Sequence, residues 1–133
     1  MKFFHKAKDG GPLSKVTGFW LVELKRLFSI ALLKFEHGSR DEYHSHAFNS
    51  VSWVLRGSLR EEHIFGDIEK HRPSVFPIRT YRHTFHRVYS VGTTWVLTFR
   101  GPWSKQWAEF NPETRKYTTL ENGRVVAKER VLG

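Results

Sequence analysis

From residue 28 onward the chain alternates short apolar runs with clusters of turn-forming residues. Residues 28–35 (FSIALLKF) read as a strand that ends at His37-Gly38-Ser39. Residues 43–55 form a further β run, with Val51, Trp53 and Val54 of the types that suit a pleated, half-buried surface. Arg56-Gly57-Ser58 turns the chain into a strand over 59–65, and Gly66-Asp67 turns it again. A short proline-bounded segment over 74–78 and a strand over 84–89 follow. Ser90-Val91-Gly92 leads into residues 93–100 (TTWVLTFR), a strong β segment that Gly101-Pro102 breaks. Residues 106–111 make another short strand, with turns at Asn111-Pro112-Glu113 and Glu121-Asn122-Gly123. Many short strands at this spacing predict a sandwich or barrel, and the long helical patterns of a βαβ fold are missing. Residues 19–27 (FWLVELKRL) fit a short helix or a strand equally, and the tail over 124–133 reads as a short helix or a frayed end.

Composition narrows this picture. The 133 residues, 39% hydrophobic and 15% aromatic, fit one domain over 1–133 with a real core. Phe48, Trp53, Phe76, Phe85, Trp95, Phe99 and Trp107 are the expected core and pocket lining. There is no cysteine, so disulfides and thiolate metal sites are excluded. The N-terminus has no apolar stretch of the signal-peptide kind, and no run is long enough to span a bilayer, so a cytoplasmic protein with no membrane partner is expected. The formal charge of +9 makes an anionic partner, nucleic acid included, a candidate. The basic residues are spread along the chain rather than gathered in an arm, which equally describes a solvated basic surface.

The chemistry lies in the histidines, of which there are eight. His44 and His46 stand two apart, so on a strand their side chains share a face with Cβ atoms about 7 Å apart. Two such imidazoles can converge on one ion. With thiolates excluded, the ligand set must be imidazole, carboxylate or backbone oxygen.

The spacing around this pair resembles the first motif of the cupin superfamily: a glycine, five residues, His-x-His, a glutamate three or four residues on, and a glycine six further. Gly38, His44, His46 and Gly57 fall in register, while Ser50 (or Val51 in the longer form) stands in place of the glutamate. The second cupin motif is looser. Pro77 fits its proline, Arg79 replaces its glycine, His83 and His86 compete for the ligand position, and Ser90 stands at the asparagine position after His86. His86 is the expected ligand because it opens a β-like segment, with His83 at the rim. The stretch 97–102 with Trp107 after it is also similar to small cupin-like proteins of bacteria and phages.

The resemblance spans roughly residues 28–110. It implies an all-β, double-stranded β-helix (jelly-roll) barrel with a divalent metal ion held inside by His44, His46 and His86. A neutral three-histidine set resembles the cysteine-dioxygenase branch of cupins. That implies Fe(II), with Zn, Ni or Mn as alternatives, and dioxygenase-like chemistry on a small molecule. The rival readings are an isomerase or hydrolase using the ion as a Lewis acid, and a non-enzymatic binder of a small ligand or of nucleic acid. A homodimer is a further implication. Glu61 or Glu62 could restore a carboxylate to the site, or both could lie on an exposed strand face. Arg56, Arg60, Arg79, Arg82 and Arg87 are candidate anion contacts at the mouth, with Arg87 facing away from the site because it follows His86.

Overall fold

Strand parity organises the structure. Along residues 94–100, Thr94, Val96, Thr98 and Arg100 are buried, while Trp95, Leu97 and Phe99 occupy the opposite face. The computed structural model describes residues 2–9, 16–24, 26–38, 43–82, 84–121 and 125–131. Among them it has thirteen strands and no helix. These are β1 (Lys2–Lys8), β2 (Val16–Leu24), β3 (Phe28–Phe35), β4 (Tyr43–His44), β5 (Ser50–Arg56), β6 (Leu59–His63), β7 (Ile68–His71), β8 (Ile78–Thr80), β9 (His86–Ser90), β10 (Thr94–Arg100), β11 (Gln106–Asn111), β12 (Lys116–Glu121) and β13 (Val125–Val131).

They form two antiparallel sheets, ordered β1-β2-β3-β10-β5-β8 and β13-β12-β11-β4-β9-β6-β7. The all-β jelly-roll expectation holds. The ambiguous stretch over 19–27 is mostly strand, since it lies largely within β2, which pairs with both β1 and β3. The described part of the tail is a strand too, β13, paired with β12. Pairing to a neighbouring strand, which no local pattern reveals, decided both cases.

The hydrophobic core gathers Trp20, Ala31, Leu33, Val54 and Val96 from the first sheet with Leu59 from the second. Gly18 makes room for Trp20: a Cβ at that position would stand 1.9 Å from the indole. The aromatic core expectation needs correction. Phe48 is buried, but Phe76 is 79% and Phe99 41% exposed, and Trp53, Phe85, Trp95 and Trp107 are half-buried. The inner face of β10 is filled by threonine, valine and arginine, so Trp95 and Phe99 fall on the outer face, where Trp95 stacks with Phe19 at 5.8 Å.

The buried hydroxyls of Thr94 and Ser90 are hydrogen-bonded, while that of Ser29 has no partner. Thr94 Oγ1 donates to the Ser58 carbonyl at 2.9 Å and lies 2.8 Å from Ser90 Oγ. Gly38 and Ser90 bridge the two motif regions, each N–H donating to the other's carbonyl at 3.0 Å.

Candidate metal centre

The expected single strand over 43–55 is two strands in two different sheets. His44 ends β4 in the second sheet, residues 45–49 cross over, and β5 begins at Ser50 in the first. His46 therefore stands in the crossing segment rather than on a regular strand. Its backbone is nevertheless fixed. The Ser45 N–H donates to the Ala108 carbonyl at 2.9 Å, the His46 N–H to the Arg82 carbonyl at 3.1 Å, and the Gly101 N–H to the Asn49 carbonyl at 2.9 Å. His44 is held by the sheet, where it pairs directly with His86 of β9.

These elements bring the three expected histidines together. The ring centroids of His44 and His46 are 4.8 Å apart, those of His44 and His86 4.9 Å, and those of His46 and His86 5.1 Å. One nitrogen from each lies within 4.8 Å of the other two. Nε2 of His46 and Nε2 of His86 lie 2.9 Å apart. His83, the rival to His86, lies outside the described residues.

Glu61 sets the state of His86. Its carboxylate is 5% exposed and accepts the Nδ1–H of His86 through Oε2. A neutral imidazole that donates from Nδ1 has its lone pair on Nε2, the nitrogen that faces His46. The other oxygen, Oε1, lies 2.9 Å from Nε2 of His71. Burial by itself would raise the Glu61 carboxyl, but the hydrogen bonds from His71 and His86, with the positive charge that His86 and His63 carry when protonated, outweigh it and hold the group well below the usual carboxylate range. The His71 imidazole is raised, chiefly by its hydrogen bond to Glu61, against the opposing effect of burial.

The neighbouring acid, Glu62, points the other way. It accepts from Arg87 Nε at 2.8 Å and pairs with Arg60 at 3.2 Å. Arg87 also covers the Tyr43 ring at 4.6 Å, which places it away from the histidines as expected. The exposed-face reading of residues 61–62 is thus corrected at Glu61 and replaced at Glu62 by a half-buried ion pair. Ser50, in the vacant glutamate position, sits in β5 opposite Arg100 and Thr80.

Two interior residues escaped the sequence reading. Glu109 is 8% exposed and is the register partner of His44, so a cross-strand row runs Glu109, His44, His86, His63 over four neighbouring strands. Arg100 is 5% exposed, bound to Asp9 through two contacts of 3.1 and 2.6 Å, and its guanidinium lies 4.5 Å from the Phe48 ring centroid. Phe48 in turn packs on His46 at 5.1 Å. The signal for Arg100 was present in the sequence, because it keeps the parity of the inward residues Thr94, Val96 and Thr98. No comparable signal marked Glu109, whose partner strand is more than sixty positions away in the chain.

The donor set fits a divalent transition ion. Three neutral imidazoles suit Zn, Fe, Cu or Ni. Two nitrogens about 2.1 Å from one ion at a right angle are about 3.0 Å apart, close to the 2.9 Å between His46 and His86. A carboxylate that accepts from a histidine's second ring nitrogen, as Glu61 does from His86, is the usual support of a metal-ligating histidine.

No protein-family profile and no curated protein matches this sequence. In three dimensions the chain is similar to solved cupin structures. A sugar phosphate isomerase of the cupin superfamily from Silicibacter pomeroyi superposes with a TM-score of 0.64 over 94% of this chain and 88% of that one, at 10% identity. EutQ from Clostridium difficile gives 0.59 over 73% and 75% at 12% identity, and ectoine synthase from P. lautus 0.58 over 72% and 70% at 16% identity. The fold of this protein is the cupin fold. No helix among the described residues is long and apolar enough to cross a membrane.

Proposed function

We propose that this protein is a metal-dependent enzyme acting on a small molecule, with the ion held by His44, His46 and His86. The observation that supports this most directly is the orientation of His86: Glu61 occupies Nδ1, and Nε2 faces His46 Nε2 at 2.9 Å. When bound, an ion on three neutral ligands keeps its full double charge and has open positions for substrate, so it supplies Lewis acidity and, as Fe(II), access to O₂ chemistry.

The chain's own residues contribute three things. Glu61 fixes the tautomer and direction of His86. Arg100, neutralised by Asp9, packs against the Phe48 ring that lies on His46 and so fixes that wall of the site. Glu109, beside His44 in the register, is the residue this reading assigns to proton transfer.

Two reaction types use such a centre. The first is Fe(II)-dependent, dioxygenase-like oxidation, favoured by the resemblance of a three-histidine set to the cysteine-dioxygenase branch of cupins. The second is Lewis-acid isomerisation, favoured by the similarity to the sugar phosphate isomerase along 94% of the chain. Metal analysis of the purified protein beside His46→Ala tests the centre itself. Bound metal lost in the variant supports it; equal metal in both, or none in either, ends it. Screening small anionic substrates with Fe(II) in air, and with Zn(II) without oxygen, separates the two reactions. Turnover confined to Fe(II) with oxygen uptake supports the first, and turnover with Zn(II) in its absence the second.

A further inference from the structure

The β6–β7 hairpin repeats one short pattern. Glu61-Glu62-His63 on β6 and Glu69-Lys70-His71 on β7 each place a glutamate two residues before a histidine. That spacing puts both side chains on one face of a strand. The antiparallel register sets Glu61 directly opposite Glu69 and His71 opposite Leu59. Four potential ligands thus share one face of a single hairpin.

Two carboxylates directly opposite each other repel; Glu61 is 5% exposed and Glu69 57%, so water screens only the outer of the two. A positive group between them relieves that repulsion. His71 Nε2 lies 2.9 Å from Glu61 Oε1 and 3.7 Å from Glu69 Oε2. His63 Nε2 lies 3.7 Å from Oε1 of each glutamate. One donor atom each from Glu61, Glu69 and His71 falls within 4.8 Å of the other two. Two donors about 2.1 Å from one ion at the tetrahedral angle are about 3.4 Å apart, a value that the separations of 2.9 and 3.7 Å bracket. An independent sign comes from His63: its Nε2 is buried and has no hydrogen-bond partner, although it faces both carboxylates.

We propose that this hairpin is a second divalent-metal site, taking a zinc-class ion on Glu61, Glu69 and His71 with His63 as the fourth donor. Mixed imidazole and carboxylate ligands suit Zn(II) and its neighbours better than Mg or Ca. The ion enters from the Glu69 side, where the side chain is 57% exposed. It takes the place of the proton between His71 and Glu61. Glu61 then joins the two centres, with Oε2 on His86 and Oε1 on the hairpin ion. The hairpin site shares Glu61 with the barrel centre but uses none of the three barrel histidines, so His46→Ala removes the barrel centre and leaves the hairpin ligands intact.

Equilibrium dialysis of the full chain against Zn(II), followed by metal analysis, tests this with wild type, His46→Ala, Glu69→Gln and His71→Ala. Two equivalents are expected in wild type. One should persist in His46→Ala, and the hairpin equivalent should be lost or weakened about tenfold or more in Glu69→Gln and His71→Ala. Glu69→Gln keeps the side-chain shape at an exposed position, so it remains informative if His71→Ala does not fold. A single equivalent that survives His46→Ala and is lost in Glu69→Gln supports the hairpin and removes the barrel centre. A single equivalent lost in His46→Ala and indifferent to both hairpin variants overturns this proposal and leaves the barrel centre standing. A second equivalent indifferent to the hairpin variants overturns it as well, and no bound Zn(II) at all overturns both sites.

Discussion

His86 and Glu61 form a buried pair in which the imidazole donates from Nδ1 to one carboxylate oxygen, leaving Nε2 directed at His46. A carboxylate, absent at Ser50 where the first cupin-like motif has one, stands one strand further on at Glu61, joined to the histidine cluster by its hydrogen bond to His86 Nδ1. There it holds His86 in place from the side away from His46. If an ion binds the three histidines as proposed, this leaves the ligand set to the imidazoles and supplies a nearby negative charge that would strengthen His86 as a donor.

Replacing that carboxylate by its uncharged isostere should therefore weaken metal binding without abolishing it. Glu61→Gln is expected to lower the affinity of the barrel centre about 10- to 100-fold. Chelator competition in a Glu69→Gln background measures this, so that the hairpin does not contribute. An unchanged affinity would show that His86 needs no support from Glu61.

The pair should also shape the pH dependence of stability in the metal-free chain. The Glu61 carboxyl lies below its ordinary value of 4.5 in the folded state, so its contribution is complete above that value and fades as pH falls. His71 is raised above its ordinary value of 6.5, so its contribution is complete below 6.5 and fades as pH rises through the raised value. Between these limits both contributions are present. Tm followed by circular dichroism in the presence of chelator should decline on each side, and His71→Ala should flatten the alkaline decline and also reduce the acid one, because His71 makes the largest contribution to lowering the Glu61 carboxyl. An alkaline decline of the same size in the variant would assign it to other groups.

Arg100 and Asp9 form a largely buried, two-contact ion pair. Asp9→Asn leaves the guanidinium inside the barrel without its counter-charge and should cost on the order of 3 kcal/mol. Pairing it with Arg100→Met, which removes the charge and retains much of the volume, should recover most of that loss. Urea denaturation of the two variants checks both values. A double variant no more stable than Asp9→Asn would mean that Arg100 acts mainly through packing.

Gly57 adopts φ +92°, and a Cβ there would stand 2.6 Å from Thr94 Oγ1 and 2.7 Å from the Thr93 carbonyl. Gly57→Ala should destabilise the chain by more than about 1 kcal/mol, because strain and overlap act together. Gly92, also at positive φ but with open space around it, separates the two effects. Gly92→Ala carries only the strain and should cost less in the same denaturation assay.

The residue order alone was enough to read the strand-rich fold, the turn at Gly57 and the three histidines that meet inside. Turn glycines, β-branched runs and the spacing of His44 and His46 are local signals, and local signals survive without a structure. It was not enough to read which acid serves the site. Glu61 and Glu62 are neighbours of identical type, and only the parity of β6 against β9 sends one inward to His86 and the other outward to Arg87. Nor did it show that residues 43–55 divide between two sheets, because the crossing segment is held by contacts to Arg82, Gly101 and Ala108 from distant parts of the chain. Glu109, Arg100 and the facing Glu-x-His pairs of the hairpin likewise owe their positions to strand pairing. The order of residues specifies which side chains are present and which segments extend; the pairing of those segments is a long-range property, and it selects which of the side chains meet.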